Sequence, residues 1–135
     1  MALSNAPQPG QPVRGSESGR PIMAAFDLLG RRWMLRIIGE LGEGPLGFNE
    51  AQRRLDGVSS SVLATRLREL AAVGLAETDA TGAYRLTHVG TSLLVALAPL
   101  WAWSDEWATA TGAEPNPAPS TALTEAITRP TASLP

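Results

Sequence analysis

The stretch VSSSVLATRLREL, residues 58–70, carries the most suggestive polar pattern in the chain. At about 100° per residue, a helix here sets Ser61, Thr65, Arg68 and Ala72 on one face, opposite Leu63, Leu67 and Leu70. Hydroxyls can bond base edges or phosphates, an arginine can take a guanine bidentately, and Ala64 or a Thr methyl can touch thymine. The first turn, Ser59 to Ser61, also offers amides and the positive end of the helix dipole to a phosphate. Taken alone, three serines are equally an N-cap and a solvated first turn. The surrounding elements decide between these readings.

Other chemistry is poorly supplied. The single histidine, His88, could be paired with Asp105 or Glu106 for acid–base work. No spacing supports that pairing, and His88 reads as an ordinary first-turn residue. No nucleotide-binding loop or nucleophile triad is present, so no catalytic residue and no cofactor are expected. The absence of cysteine excludes disulfides and thiolate ligands, and the carboxylates do not cluster, so no metal site is expected. Four tryptophans stand out, three of them in LWAWSDEW. Trp101 and Trp103 are two apart and point about 200° from each other on a helix. With Trp107, Trp33, Phe26 and Met23 they could line a pocket for a flat organic ligand. The plainer reading of Trp103 is a dimer core.

The charge balance argues against extensive nucleic-acid contact. The net charge is −2 and the pI about 5.4, and all eleven basic residues are arginine. Residues 24–108 hold eight Arg against ten acids, again −2. Affinity for DNA would have to come from local clusters. Arg31, Arg32, Arg53 and Arg54 are the candidates, with Arg85 further on. The competing role is ion pairing on a solvated face, such as Glu50 with Arg54 at i, i+4. Arg66, near the core edge, is expected to be packed or paired with an acid.

Periodicity supplies the elements. PIMAAFDLL is a short helix with Pro21 in its first turn, and RRWMLRIIGEL a second, with Trp33, Ile37, Ile38 and Leu41 as its stripe. GFNEAQRRL forms a third. DGV makes a tight turn into the helix that Ser59 caps and Gly74 ends, which is a helix-turn-helix layout. LAET and AYRLT flank the turn-rich DATG as a small hairpin. Thr87 then caps a long helix with Leu93, Leu94, Leu97, Leu100, Trp101 and Trp107 on its stripe, which Pro99 should kink or divide. A helical bundle with an incidental hairpin is the alternative architecture.

The segments LLGRRWMLRIIGEL, GPLGFNEAQRRLDGVSSSVLATRLRELAAVGLAE and YRLTHVGTSLLVALAPLWAW resemble, in order and spacing, the HxlR-type winged-helix transcriptional regulators. The most specific elements are Gly30 with Trp33, FNE at 48–50, the Ser59 to Leu75 pattern and the Tyr84 to Gly90 pattern. The resemblance implies a homodimeric bacterial DNA-binding protein with its second motif helix in the major groove and its hairpin against the backbone. Departures accompany it. Arg20 stands where the family usually has a cysteine, which removes a thiol switch. Gly47 replaces a common arginine, Ser60 and Ser61 replace proline and lysine, and the hairpin is short, with an acidic Asp79.

The expected protein is therefore mainly α with a small β-hairpin: a winged helix-turn-helix with a C-terminal dimerisation helix, residues 20–111. Residues 1–19 and the Pro/Ala/Thr-rich 112–135 are expected to be disordered tails. Ser60, Ser61, Thr65 and Arg68 should read bases, and Arg32, Arg53, Arg54, Ser59 and Arg85 should touch phosphates. The expected partners are double-stranded DNA, a second copy of the chain and an aromatic small-molecule effector. No membrane is involved and the location is cytoplasmic, because no run of 18 apolar residues and no signal-peptide layout is present. The alternative is a small-molecule-binding or catalytic protein on a repurposed winged-helix fold that no longer binds DNA.

Overall fold

The computed structural model describes residues 6–128. The elements run α1 (Pro21–Leu29), α2 (Met34–Leu41), α3 (Phe48–Arg54), α4 (Ser60–Ala72), β1 (Ala76–Thr78), β2 (Tyr84–Leu86), α5 (His88–Thr111) and α6 (Thr121–Thr128). This is mainly α with one antiparallel hairpin, as the periodicities predict. None of these helices is long and apolar enough to cross a membrane.

One core joins every layer. Met34, Ile37, Ile38 and Leu41 from α2 meet Leu63, Leu67 and Leu70 from α4, with Leu28, Leu46, Leu55, Val58 and Leu94 closing around them. Each fully buried leucine contributes about 1.5–3 kcal/mol relative to an exposed one. Met34, not Trp33, takes the first place in the α2 stripe. Trp33 lies just before the helix with φ of 72°, a left-handed conformation that non-glycine residues seldom adopt. Its ring is stacked under the Arg36 guanidinium, 4.7 Å from the ring centroid.

The hairpin pairs Ala76 with Leu86 and Thr78 with Tyr84. Leu46 exchanges backbone hydrogen bonds with Tyr84 at 2.8 and 2.9 Å, which ties the α2–α3 loop to the wing. Asp79 organises the tip: its Oδ1 accepts from the Thr81 amide (2.8 Å), the Thr81 hydroxyl (2.6 Å) and the Ala83 amide (3.1 Å). These bonds, the Thr81 hydroxyl's first, hold the carboxyl below its ordinary range. A depressed folded pKa contributes stability above the unfolded value of about 3.9 and loses it as pH falls through the folded one. Below about pH 4, amide exchange at Thr81 and Ala83 is therefore expected to accelerate before the core opens. Asp79→Ala should show that fast exchange already at neutral pH.

Three expectations need correction. Of the two outcomes expected at Pro99, a kink or a division, the division does not occur: α5 runs unbroken for 24 residues, with only Gly90 and Leu94 of it buried. Most of its apolar stripe stays uncovered because α5 extends beyond the layer that α2 and α4 provide. Residues 112–135 are not a structureless tail throughout, because α6 docks on the core. Leu123, Ala126 and Ile127 form a short i, i+3, i+4 stripe against it, and Ser120 caps the helix by accepting from the Leu123 amide at 3.1 Å. The Pro, Ala and Thr content of the segment obscured that period. Asn116 latches the connection, its amide and side chain donating to Asp105 Oδ1 at 2.8 and 2.7 Å. Residues 6–19 likewise follow a defined path, with a Val13–Ser16 turn, a Gly10 amide bonded to the Gly19 carbonyl at 2.8 Å, and Ala6 and Pro7 buried. The expected tail positions 1–5 and 129–135 lie outside the described residues.

Candidate nucleic-acid interface

The helix-turn-helix is built from α3, a turn and α4. Leu55 and Val58 are buried on either side of the turn, and Gly57 between them has φ of 96°, which a side chain would strain. Trp33 lies under this turn: its ring edge would be 3.8 Å from a Cβ at Gly57. Ser59 caps α4 as expected, its Oγ accepting from the Val62 amide at 3.2 Å. Gln52 of α3 donates to Ser60 Oγ at 3.0 Å and to the Val58 carbonyl at 3.4 Å, which sets the entry of α4 relative to α3. Sequence reasoning missed Gln52; its signal was a long amide one turn before the motif's bend.

Ser61, Thr65 and Arg68 are exposed on the side of α4 away from Leu63, Leu67 and Leu70, while Ser59 and Ser60 are exposed at its N-terminal end, in line with the leucines. Arg68 donates to Thr65 Oγ1 at 3.4 Å, so these two side chains already share one patch. The Ser60 hydroxyl accepts from Gln52 and keeps its proton to donate. The chemistry of this face is a row of hydroxyls with one guanidinium and no carboxylate.

The expected phosphate contacts divide. Arg53 has a side chain 76% exposed and pairs only at i, i+3 with Glu50. Arg32 is exposed, and its backbone carbonyl accepts from Arg66 Nε at 2.9 Å. Arg54 is otherwise engaged: its guanidinium reaches Glu50 at 3.1 Å, Glu43 at 3.4 Å and Glu40 at 3.7 Å. It fastens α3 to the end of α2, so a phosphate contact from Arg54 would compete with these three carboxylates. Arg85 is held across the hairpin by Glu77 at 2.9 Å, which cancels the only basic charge on the wing.

Behind the exposed hydroxyl face of α4 lies a network centred on Glu69. This carboxylate is buried, its side chain only 7% exposed, and it bonds both Arg31 and Arg66, the latter at 2.5 Å. Burial, and then the nearby guanidiniums of Arg31 and Arg14, press Arg66 below the ordinary arginine range. The pairing expected for Arg66 is present. Its sequence signal is the row Val62, Arg66, Glu69, Val73, which lies beside the leucine stripe on the same helix.

The six residues expected to line an aromatic pocket do not converge within one chain. Trp103 and Trp107 stack on each other, their centroids 5.2 Å apart, while Trp101 faces α6 across a cavity of about 180 Å³. Phe26 borders a cleft of arginines, and Trp33 lies near Leu35 and Arg36. Met23 borders none of these cavities. An apolar cavity of about 340 Å³ is lined instead by residues such as Pro7, Pro21, Leu28, Leu75 and Leu93. The cause is the length of α5, which carries its tryptophans away from α1 and α2.

Comparison with known proteins agrees with this arrangement. A family model described as HxlR-like helix-turn-helix matches residues 28–111, from the end of α1 through α5. The HTH-type transcriptional regulator YodB of Bacillus subtilis is 37% identical over 90 residues, covering 62% of this chain and 80% of that protein. The uncharacterized HTH-type transcriptional regulator Rv3095 of Mycobacterium tuberculosis is 35% identical over 95 residues, 66% of this chain and 60% of that protein. The crystal structure of quinone-bound YodB superposes with a TM-score of 0.60 at 36% identity, covering 63% of this chain and 96% of that one. Its reduced form gives 0.57 at 35%, with 63% and 89% covered. The arm before α1 and helix α6 lie outside the matched region, and the shared part contains the helix-turn-helix, the wing and α5: the chain belongs to the HxlR family of winged helix-turn-helix transcriptional regulators.

Proposed function

We propose that the chain binds a specific DNA duplex as a homodimer, with α4 in the major groove, under the control of an aromatic small molecule. The observation that carries this reading is the exposed face of Ser61, Thr65 and Arg68, with Ser60 exposed at the first turn, on a helix whose other face is locked into the core. Such a helix can enter the groove without cost to its own packing. Ser59, Arg32 and Arg53 would meet phosphates, with Arg54 and Arg85 doing so by leaving their carboxylate partners.

Dimerisation is supported by the surface. Apart from Leu35, the exposed large apolar side chains among the described residues belong to α1 or α5: Ile22, Phe26, Val89, Leu100, Trp101, Trp103 and Trp107. On α5, Leu100, Trp101 and the stacked pair Trp103 and Trp107 form an exposed apolar row of the kind that marks an interaction surface. The effector reading rests on YodB, whose crystal structure holds a quinone. This chain has no cysteine to capture an electrophile, so its ligand would be held by reversible contacts.

Anisotropy titration against the upstream duplex and a scrambled one tests the reading. A preference on the order of 10³-fold is expected, with log K falling linearly in log salt. Arg68→Ala should lose about 1–3 kcal/mol at one base position and relax preference there. Arg53→Ala should weaken all duplexes alike and lower the salt slope by about one. Equal, weak binding of both duplexes by a folded dimer would favour the repurposed, small-molecule-binding alternative.

A further inference from the structure

We propose that the cleft at the α1–α2 junction, walled by Arg14, Arg31, Arg32 and Arg66 with Phe26 at its rim, is a binding site for a small aromatic carboxylate. The proposal rests on the effector reading above and gives it a place and a ligand class. The cleft encloses about 530 Å³, within the range of small-molecule sites.

Its charge balance is unlike that of the rest of the molecule. The chain as a whole is at −2, yet four of its eleven arginines border this one cleft. Two carboxylates answer them: Glu69, which bonds Arg31 and Arg66, and Asp27, 3.7 Å from Arg31. Arg14 and Arg32 meet no carboxylate among the described residues, although the Arg14 amide lies 3.4 Å from Asp27 Oδ2. The guanidiniums therefore exceed the acids by two, and Arg66 feels the excess, its proton made less tightly held by burial and by Arg31 and Arg14. An entering anion relieves that repulsion.

The ring preference comes from the wall chemistry. Phe26 is 61% exposed beside the guanidiniums. A planar guanidinium takes a carboxylate bidentately and also stacks on aromatic faces, so a ring bearing a carboxylate satisfies both kinds of wall at once. Inorganic phosphate would satisfy only the charge.

Occupancy would reach α4. A carboxylate in the cleft competes with Glu69 for Arg31 and Arg66, and Glu69 is the neighbour of Arg68 on the recognition helix. Arg66 also holds the Arg32 carbonyl at 2.9 Å. Loosening either contact changes how α4 is seated against α2, so ligand and DNA affinities must be linked in both directions.

The test is calorimetric titration of the full chain, without DNA, with 2-naphthoate, uncharged 2-naphthamide and inorganic phosphate. The expected result is one saturable naphthoate site per chain, at least about tenfold tighter than naphthamide or phosphate. Arg14→Ala and Phe26→Ala should each weaken naphthoate about fivefold or more, with Arg14→Ala leaving ligand-free DNA affinity unchanged. Naphthamide or phosphate binding as tightly as naphthoate, no saturable binding, or indifference to Arg14→Ala would each overturn the assignment. An anisotropy arm separates the two readings. Naphthoate bound in an Arg14-dependent site by a protein with no duplex preference would sink the DNA reading and leave the cleft standing.

Discussion

Glu69→Ala is expected to cost about 3–5 kcal/mol of folding stability, because it strips the shared carboxylate from two largely buried arginines. The side chains concerned are 7% exposed for Glu69, 12% for Arg31 and 19% for Arg66, so water, which reaches the two arginines only from the cleft side, replaces little of what the buried carboxylate supplied. For a domain of this size the loss corresponds to a fall in Tm of roughly 15 °C or more. Thermal and urea unfolding check it, with Glu50→Ala as the control. Glu50 serves Arg53 and Arg54 from a surface position, and its loss should cost no more than about 1 kcal/mol. The triple variant Arg31→Met, Glu69→Leu, Arg66→Met should recover most of the stability, since apolar side chains of similar volume need no partner. A Glu69→Ala protein as stable as the parent would mean that the network is solvated and that α4 is seated by its leucines alone.

Gly90→Ala should be about as damaging, near 3 kcal/mol, for a steric reason. A Cβ at this position would lie 2.1 Å from the Leu75 carbonyl oxygen and 3.2 Å from Leu86 Cβ. The first obstacle is backbone, so no rotamer change relieves it. That carbonyl also accepts from the Thr87 amide at 3.0 Å, while the Thr87 hydroxyl donates to the Gly74 carbonyl at 2.6 Å and accepts from the Gly90 amide at 3.1 Å. Backing α5 away to fit one methyl breaks this joint between α4, the wing and the last helix. The gain in helix propensity, at most about 1 kcal/mol, is outweighed. Gly39→Ala, inside α2 with open space around it, isolates that propensity term and should stabilise by up to about 1 kcal/mol. Equal stability of the two variants would show that α5 can slide on the wing.

Both variants bear on the proposed function through position. Glu69 fixes α4 from behind its exposed Ser61, Thr65 and Arg68, and Gly90 fixes α5, whose exposed tryptophans are the surface proposed to meet a second copy. On the proposed reading, a destabilised Gly90→Ala protein should therefore lose duplex binding together with the proposed dimer, whereas Arg68→Ala should lose base preference alone.

Sequence periodicity by itself determined the helices, the hairpin and the helix-turn-helix. Those signals are local: an apolar stripe at 3.6 residues, a serine cap, a glycine where φ must be positive. The exposure of Ser61, Thr65 and Arg68 was legible for the same reason, since the face opposite a leucine stripe is decided within one helix, and that of Ser60 because it stands at the helix start. Which arginines are spent was not legible. Arg53 and Arg54 are adjacent in sequence, yet one stands in solvent and the other is held by three carboxylates from α2, the following loop and α3. Only the packing of those elements brings Glu40, Glu43 and Glu50 to one guanidinium. The same holds for the cleft in which Arg14 joins Arg31, Arg32 and Arg66, and for α6, whose short stripe acquires meaning only against Leu41 and Leu94 of the core. Local patterns choose a helix and its faces; charge partners and docking sites depend on contacts between residues distant in sequence, which tertiary packing alone decides.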